Sequence, residues 1–196
     1  MNIMDTEKVK TDIEKALGSV ALKSIRSSLL IENAQDLPKV AKFLKEDAAY
    51  RLDYLSSVTA SDFIEYLETV YHLYSMEKKT GPVTLRVRVP RTDPKIPSLV
   101  SLYRGAEFQE RDNFDLFGIV YEGHPDLRRI MMWEGFEGFP MRKDYLQEDS
   151  ETLESADVEW LEKNGVKVPE AAKAKAAELR QQGKRALAER RVEDKG

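Results

Sequence analysis

Hydrophobic and polar residues alternate most cleanly over residues 83–89. Val83, Leu85, Val87 and Val89 fall on one side, and Thr84, Arg86 and Arg88 on the other. A period of two with β-branched residues predicts a strand with one face buried. Gly81-Pro82 marks its start and Pro90 its end. Residues 51–59 alternate in the same way, and two shorter β-favouring runs lie at 20–25 and 28–32. Elsewhere the spacing turns helical. Over 5–17, Val9, Ile13, Ala16 and Leu17 share one face, Thr11 and Glu14 are spaced like a capping box, and Gly18 suits a stop. Over 37–47, Val40, Phe43 and Leu44 point inward behind an Asp36 cap, with Pro38 in the first turn.

Residues 62–76 fit either period. Phe63, Leu67, Val70, Tyr71 and Tyr74 form a helical stripe, towards which the periodicity leans, yet the residue types favour strand. A short helix at 98–103 is expected to lead into a longer one at 106–116. There Glu107, Arg111 and Asp115 stand four apart, so that Arg111 can pair in both directions along the surface.

Residues 118–146 have neither period. They hold Gly118, Gly123, Gly135 and Gly138 together with Ile130, Met131, Met132, Trp133, Phe136, Phe139 and Met141. An aperiodic segment of this kind has no regular face with which to bury its rings in its own domain. Trp, Met, Phe and Arg are also the types that interface cores favour. The segment therefore favours a surface covered by another polypeptide, the alternative being a long loop folded back onto its own domain. From 144 to 162 there are eight acids and no base, and from 167 to 195 nine Lys or Arg against five acids. The latter stretch, Ala-rich after Pro169, reads as an exposed helix or a disordered tail.

Composition narrows the chemistry. The 196 residues are 41% hydrophobic and 34% charged, with a net charge of -4, no Cys and two His. Such a balance gives no basic field for nucleic acid. Without Cys there is no disulfide, thiolate-held iron–sulfur cluster or Cys-based zinc site. His72 and His124, 52 positions apart, do not make a metal-ligand pattern. His124 has Asp126 nearby but no nucleophile motif beside it. Neither GxxxxGK[ST] nor GxGxxG occurs. No apolar run reaches the roughly 20 residues of a membrane span, and residues 1–10 lack a signal-peptide core. The expectation is a soluble, cytoplasmic chain that meets a membrane only through partners.

The blocks Glu110-Arg111, Asp115-Leu116-Phe117-Gly118-Ile119, Gly123-His124-Pro125-Asp126-Leu127-Arg128-Arg129, Gly135-Phe136-Glu137-Gly138 and Arg142-Lys143-Asp144-Tyr145 follow in order between residues 106 and 145. This series resembles the signature region of the thirty-kilodalton subunit family of respiratory complex I, the NADH:quinone oxidoreductase. The likeness extends over roughly residues 36–146. Asp112, Phe108, Phe139 and Leu146 stand where the family mostly has Glu, Trp, His and Pro, so no role attached to that histidine carries over.

The resemblance implies an α/β fold: a mixed, mostly antiparallel sheet with flanking helices, then an extended arm. It turns residues 65–76 to strand, paired with 83–89. The expected organisation is a core over 1–117, a partner-binding arm over 118–146 and a charged tail over 147–196. Helix 106–117 would anchor the arm through Phe108, Phe114 and Phe117, and Gly118, Gly123 and Pro125 would steer it off the core. The resemblance further implies a non-catalytic bracing subunit of an NADH:quinone oxidoreductase on the cytoplasmic side of the cell membrane. It would hold no cofactor, with iron–sulfur clusters and quinone in its partners, the quinone-site subunit of the forty-nine kilodalton type and a small iron–sulfur subunit. The expected interface is Glu110, Arg111, Asp115, His124, Arg128, Arg129, Trp133, Phe136, Phe139, Arg142, Lys143, Asp144 and Tyr145. Related membrane-bound hydrogenases and deazaflavin-dependent dehydrogenases carry similar subunits and remain the alternative.

Overall fold

The computed structural model describes residues 4–136, 138–145, 155–165, 167–168, 170, 173–174 and 177. Strands β1 (Leu22–Ile25), β2 (Ser28–Ile31), β3 (Tyr54–Asp62), β4 (Tyr66–Ser75) and β5 (Thr80–Pro90) form one sheet in the order β1-β2-β5-β4-β3. All neighbours are antiparallel except β2 and β5. Helices α1 (Thr6–Leu17), α2 (Leu37–Glu46) and α3 (Ala106–Phe117) contribute to the same core as the sheet's inward row. A separate parallel pair joins β6 (Lys95–Pro97) to β7 (Val120–Glu122). This is the mixed, mostly antiparallel architecture with flanking helices that the resemblance implied.

The core is built by Val9 and Ile13 of α1, Leu37, Val40, Ala41 and Leu44 of α2, and Leu67, Tyr71, Leu73, Val83, Leu85, Val87 and Val89 of the central strands. Strand β4 pairs with β5 from Tyr66 opposite Pro90 to Ser75 opposite Thr80. The helical lean of its periodicity misleads because β4 is central. Val70 and Glu68 on the second face are buried as well as the inward row, which erases the alternation. Glu68 is held there by Arg86 (2.5 Å) and Arg88 (2.7 Å) from β5.

Several local expectations change. Helix α1 is capped by Asp5, whose carboxylate accepts from Glu7 N at 3.1 Å. Thr11 lies mid-helix and donates to the Glu7 carbonyl, so the capping box is not formed, and Ala16 faces solvent. Asp36 makes no side-chain cap, since it pairs instead with Lys39 at 2.8 Å, while Pro38 does occupy the first turn of α2. Phe43 is half-buried, tilted against Tyr50. Residues 98–103 form turns closed by Leu102 and Tyr103 amides on the Leu99 carbonyl, not a helix. Gly81 and Pro82 lie inside β5. Strand β2 pairs only with Thr84–Val87, so the missing proline N–H removes no ladder bond there.

The residues up to Arg142 make one compact unit, and Lys143–Gly196 a second. The aperiodic segment up to Arg142 lies within the first of these units. In the second unit α4 (Ser155–Lys163) places Val158 and Leu161 with Val168. Most of the stretch after Pro169 lies outside the described residues. Glu170, Lys173, Ala174 and Ala177 within it are helical. No helix among the described residues is long and apolar enough to cross a membrane.

Candidate functional site

Helix α3 carries two buried stripes. Ala106, Glu110, Asn113 and Phe117 recur at helical spacing and are all buried. Arg111 and Asp115 lie four apart and are buried too. The surface ladder Glu107–Arg111–Asp115 therefore does not form. Both charges turn to the segment that follows the helix and folds back over it.

Asp115 organises that segment. Its Oδ2 accepts from the amides of Ile130 (3.0 Å), Met131 (2.7 Å) and Met132 (2.9 Å), and its Oδ1 from Arg129 Nη1 (2.8 Å). Burial acts to raise its pKa, but the Met132, Met131 and Ile130 amides and the Arg129 guanidinium outweigh it and hold the carboxyl below the ordinary 3.8. Arg129 also donates to the Asp115 and Gly138 carbonyls at 3.2 and 3.0 Å. Arg111 reaches the Arg128 carbonyl (3.3 Å) and the Asp126 carboxylate (3.7 Å).

His124 fastens the start of the loop. Its Nδ1 accepts from Asp126 N at 3.0 Å, which assigns the proton to Nε2, and Nε2 donates to the Glu107 carbonyl at 3.0 Å. At the far end, Met141 N donates to the Leu116 carbonyl (3.1 Å) and Arg142 Nε to the Phe117 carbonyl (2.6 Å). Both Arg129 and Arg142 approach the Phe139 ring, their guanidinium carbons 5.4 and 4.6 Å from its centroid. It also fills the space over Gly118, where an added Cβ would meet it at 2.5 Å. Gly118 itself has φ +71°, a left-handed conformation that glycine adopts without strain.

Glu110 faces the core. It accepts from Ser98 Oγ (2.6 Å) and Leu99 N (2.8 Å), both neutral donors, and caps the 98–103 turn. Burial exceeds these two bonds and pushes its pKa from 4.5 up to about 7. Nearby, Asn113 Nδ2 donates to Tyr121 Oη at 3.1 Å. Asn113 does not stand out in the sequence by itself. Its signal is the stripe it shares with Ala106, Glu110 and Phe117.

The expected interface residues thus divide. Glu110, Arg111 and Asp115 are buried, and Arg129, Phe139 and Arg142 are spent on contacts within the chain. Arg128 is exposed, but it pairs with its own Asp126 at 2.9 Å. Phe108, expected to anchor the arm, is 63% exposed, while Phe117 is buried. Beside the exposed Asp126, Arg128 and Glu134, the pinned loop leaves large apolar side chains outward: Trp133 at 68% exposure, Met131 at 62%, Met141 at 56%, and Ile130. Trp133 packs edge-on against the half-buried Phe136, with centroids 4.7 Å apart. Lys143 and Asp144 are exposed and Tyr145 half-buried in the second unit. Among the described residues no three His, Asp or Glu side chains are grouped to hold a metal ion.

A family model described as respiratory-chain NADH dehydrogenase, 30 Kd subunit, matches residues 31–151. An NADH-quinone oxidoreductase C-type subunit of Rhizobium meliloti (strain 1021) is 44% identical over 114 residues, 57% of this chain and 62% of that protein. The NADH-quinone oxidoreductase C-type subunit of Roseiflexus castenholzii (strain DSM 13941 / HLO8) is 37% identical over 147 residues, 72% of this chain and 84% of that protein. Among solved structures, a chain of the membrane-bound sulfane sulfur reductase, an archaeal respiratory membrane complex, superposes with a TM-score of 0.57 at 25% identity, covering 72% of this chain and 85% of that one. The chain spans 48% to 62% of the length of four curated relatives it matches. The family match covers well over half of the sequence, including all of α3 and the loop it holds, and the chain belongs to the respiratory-chain NADH dehydrogenase 30 Kd subunit family.

Proposed function

We propose that this chain is a cofactor-free docking subunit of a membrane-bound NADH:quinone oxidoreductase, bracing its quinone-reducing module. The supporting observation is the outward set Trp133, Met131, Met141 and Ile130 on a loop whose backbone is fixed by Asp115. A monomer seldom exposes grouped large apolar side chains without a use for them. A rigid loop lowers the entropy lost when such a surface is covered. The partners on this reading are the quinone-site subunit of the forty-nine kilodalton type and the small iron–sulfur subunit. They carry the clusters and quinone, and they hold this chain at the cytoplasmic side of the membrane. A second reading keeps the docking role but places it in a related membrane-bound reductase with another electron partner. The likeness to the sulfane sulfur reductase chain favours it.

Truncating the two packed rings tests the docking role. Trp133→Ala with Phe136→Ala should weaken assembly by about 2–4 kcal/mol, the scale of interface hot spots. The large complex should then be depleted on a native gel of gently solubilised membranes, with quinone reductase activity falling in proportion. Full recovery of the complex would defeat the proposal. Mass spectrometry of what copurifies with the tagged chain separates the two readings.

A further inference from the structure

Among the described residues three methionines are more than half exposed: Met131 at 62%, Met76 at 58% and Met141 at 56%. Met76 follows β4 at the β4–β5 turn, away from the loop held by α3. The other two lie on stretches of loop anchored to the same turn of α3. Met131 N is bound to the Asp115 carboxylate and Met141 N to the Leu116 carbonyl, so adjacent residues of the last turn of α3 hold both. Trp133 stands two residues from Met131 and, like both thioethers, faces outward. The loop cannot readily turn its side chains inward, because three successive amides, Ile130 to Met132, are engaged by one carboxylate.

We propose that Met131 and Met141 form an oxidation-sensitive pair, and that a hydroperoxide converting them to sulfoxides blocks the docking of this surface; this rests on the docking role proposed above. The thioether sulfur attacks the terminal oxygen of hydrogen peroxide, and the O–O bond breaks as the S–O bond forms. The departing hydroxide takes up the remaining proton as water. Sulfur gives up two electrons and the peroxide is reduced by two. The product side chain carries a strong S–O dipole in place of a soft apolar group. Burying that dipole against an apolar partner without a hydrogen bond opposes docking. The free chain is vulnerable and the docked chain protected, since covering the loop removes access to the sulfur. Met76 supplies an internal control of nearly equal exposure on another surface.

The test uses the full chain, tagged and purified, offered to membranes from cells that lack it. Samples are untreated, treated with hydrogen peroxide, or treated and then reduced with methionine sulfoxide reductases, and each is mapped by peptide mass spectrometry. Treatment should oxidise Met131, Met141 and Met76 in the free chain and leave its far-UV circular dichroism unchanged. It should lower recovery of the large complex about tenfold or more, and enzymatic reduction should restore it. Met131→Leu with Met141→Leu should lose the peroxide effect, its treated and untreated forms being recovered in the complex to the same extent, whereas Met76→Leu should remain sensitive. Treated chain that assembles as well as untreated chain overturns the inference and leaves the docking role standing. So does peroxide sensitivity that persists when both Met131 and Met141 have been replaced. Untreated chain that joins no complex overturns the docking role and the inference with it.

Discussion

Two buried carboxylates lie five residues apart on α3 and behave in opposite ways. Glu110 meets the sheet side of the core with two neutral donors, and burial raises its pKa to about 7. Asp115 meets the returning loop with three amides and a guanidinium, which hold its carboxyl below the ordinary range despite burial. One helix thus joins an interior in which a neutral acid is comfortable to a loop that depends on an ionised one. Enclosure alone does not set the charge of a buried acid. The depth of burial and the number and charge of its donors set it together.

Removing the ionised partner should have the largest effect. Asp115→Ala strands three loop amides and leaves Arg129 half enclosed without its counter-charge, which should cost about 3 kcal/mol in urea unfolding. It should also open the 128–132 segment to limited proteolysis before the sheet unfolds. Asp115→Asn retains an acceptor for the amides and should lose less. If Asp115→Ala leaves the loop as resistant as wild type, the carboxylate is not what holds it.

The pH dependence sharpens the contrast. Below about pH 4.5 Glu110 is protonated in both folded and unfolded chains. Between about 4.5 and 7 only the folded chain keeps the proton, so this group's contribution to stability declines as pH rises, by up to about 3 kcal/mol in total. Asp115 has the reverse sign. Its contribution is present above about 3.8 and is lost as pH falls through its depressed folded value. Urea unfolding of wild type and Glu110→Gln at about pH 5 and pH 8 isolates the first effect, because other groups cancel between the two proteins. The wild type should lose stability relative to the variant at the higher pH, and parallel behaviour of the two would refute a raised Glu110 pKa.

The smallest effect is expected from Arg128→Ala. The Arg128–Asp126 pair is open to solvent on both sides, so the melting temperature should not move. A clear drop would mean that this pair, and not only Asp115, secures the loop.

These contrasts follow what can be read from the chain. The alternation of 83–89 is visible because β5 exposes one face in the usual polar–apolar way. Strand β4 hides itself, since Glu68 is drawn into burial by Arg86 and Arg88 and Val70 is buried beside it. The outward Trp133 and Met131 are signalled by composition. Their anchoring is not, because Asp115 meets amides 15 to 17 positions later, and no local spacing rule connects them. Arg129 and Arg142 look available in the sequence for the same reason. Spacing along a helix suggests surface ion pairs, while the partners are carbonyls and a carboxylate brought in by the returning chain.

The ring of Phe139 occupies the volume that any side chain at position 118 would need. The two sites, 21 positions apart, are therefore tied in what they can accept. A methyl group at 118 becomes sterically tolerable only if the ring at 139 shrinks, and even then the left-handed backbone there resists it. Drift at either position alone is penalised, so sequence change in this part of the molecule should proceed in coupled steps, with the order of the substitutions mattering as much as their identity.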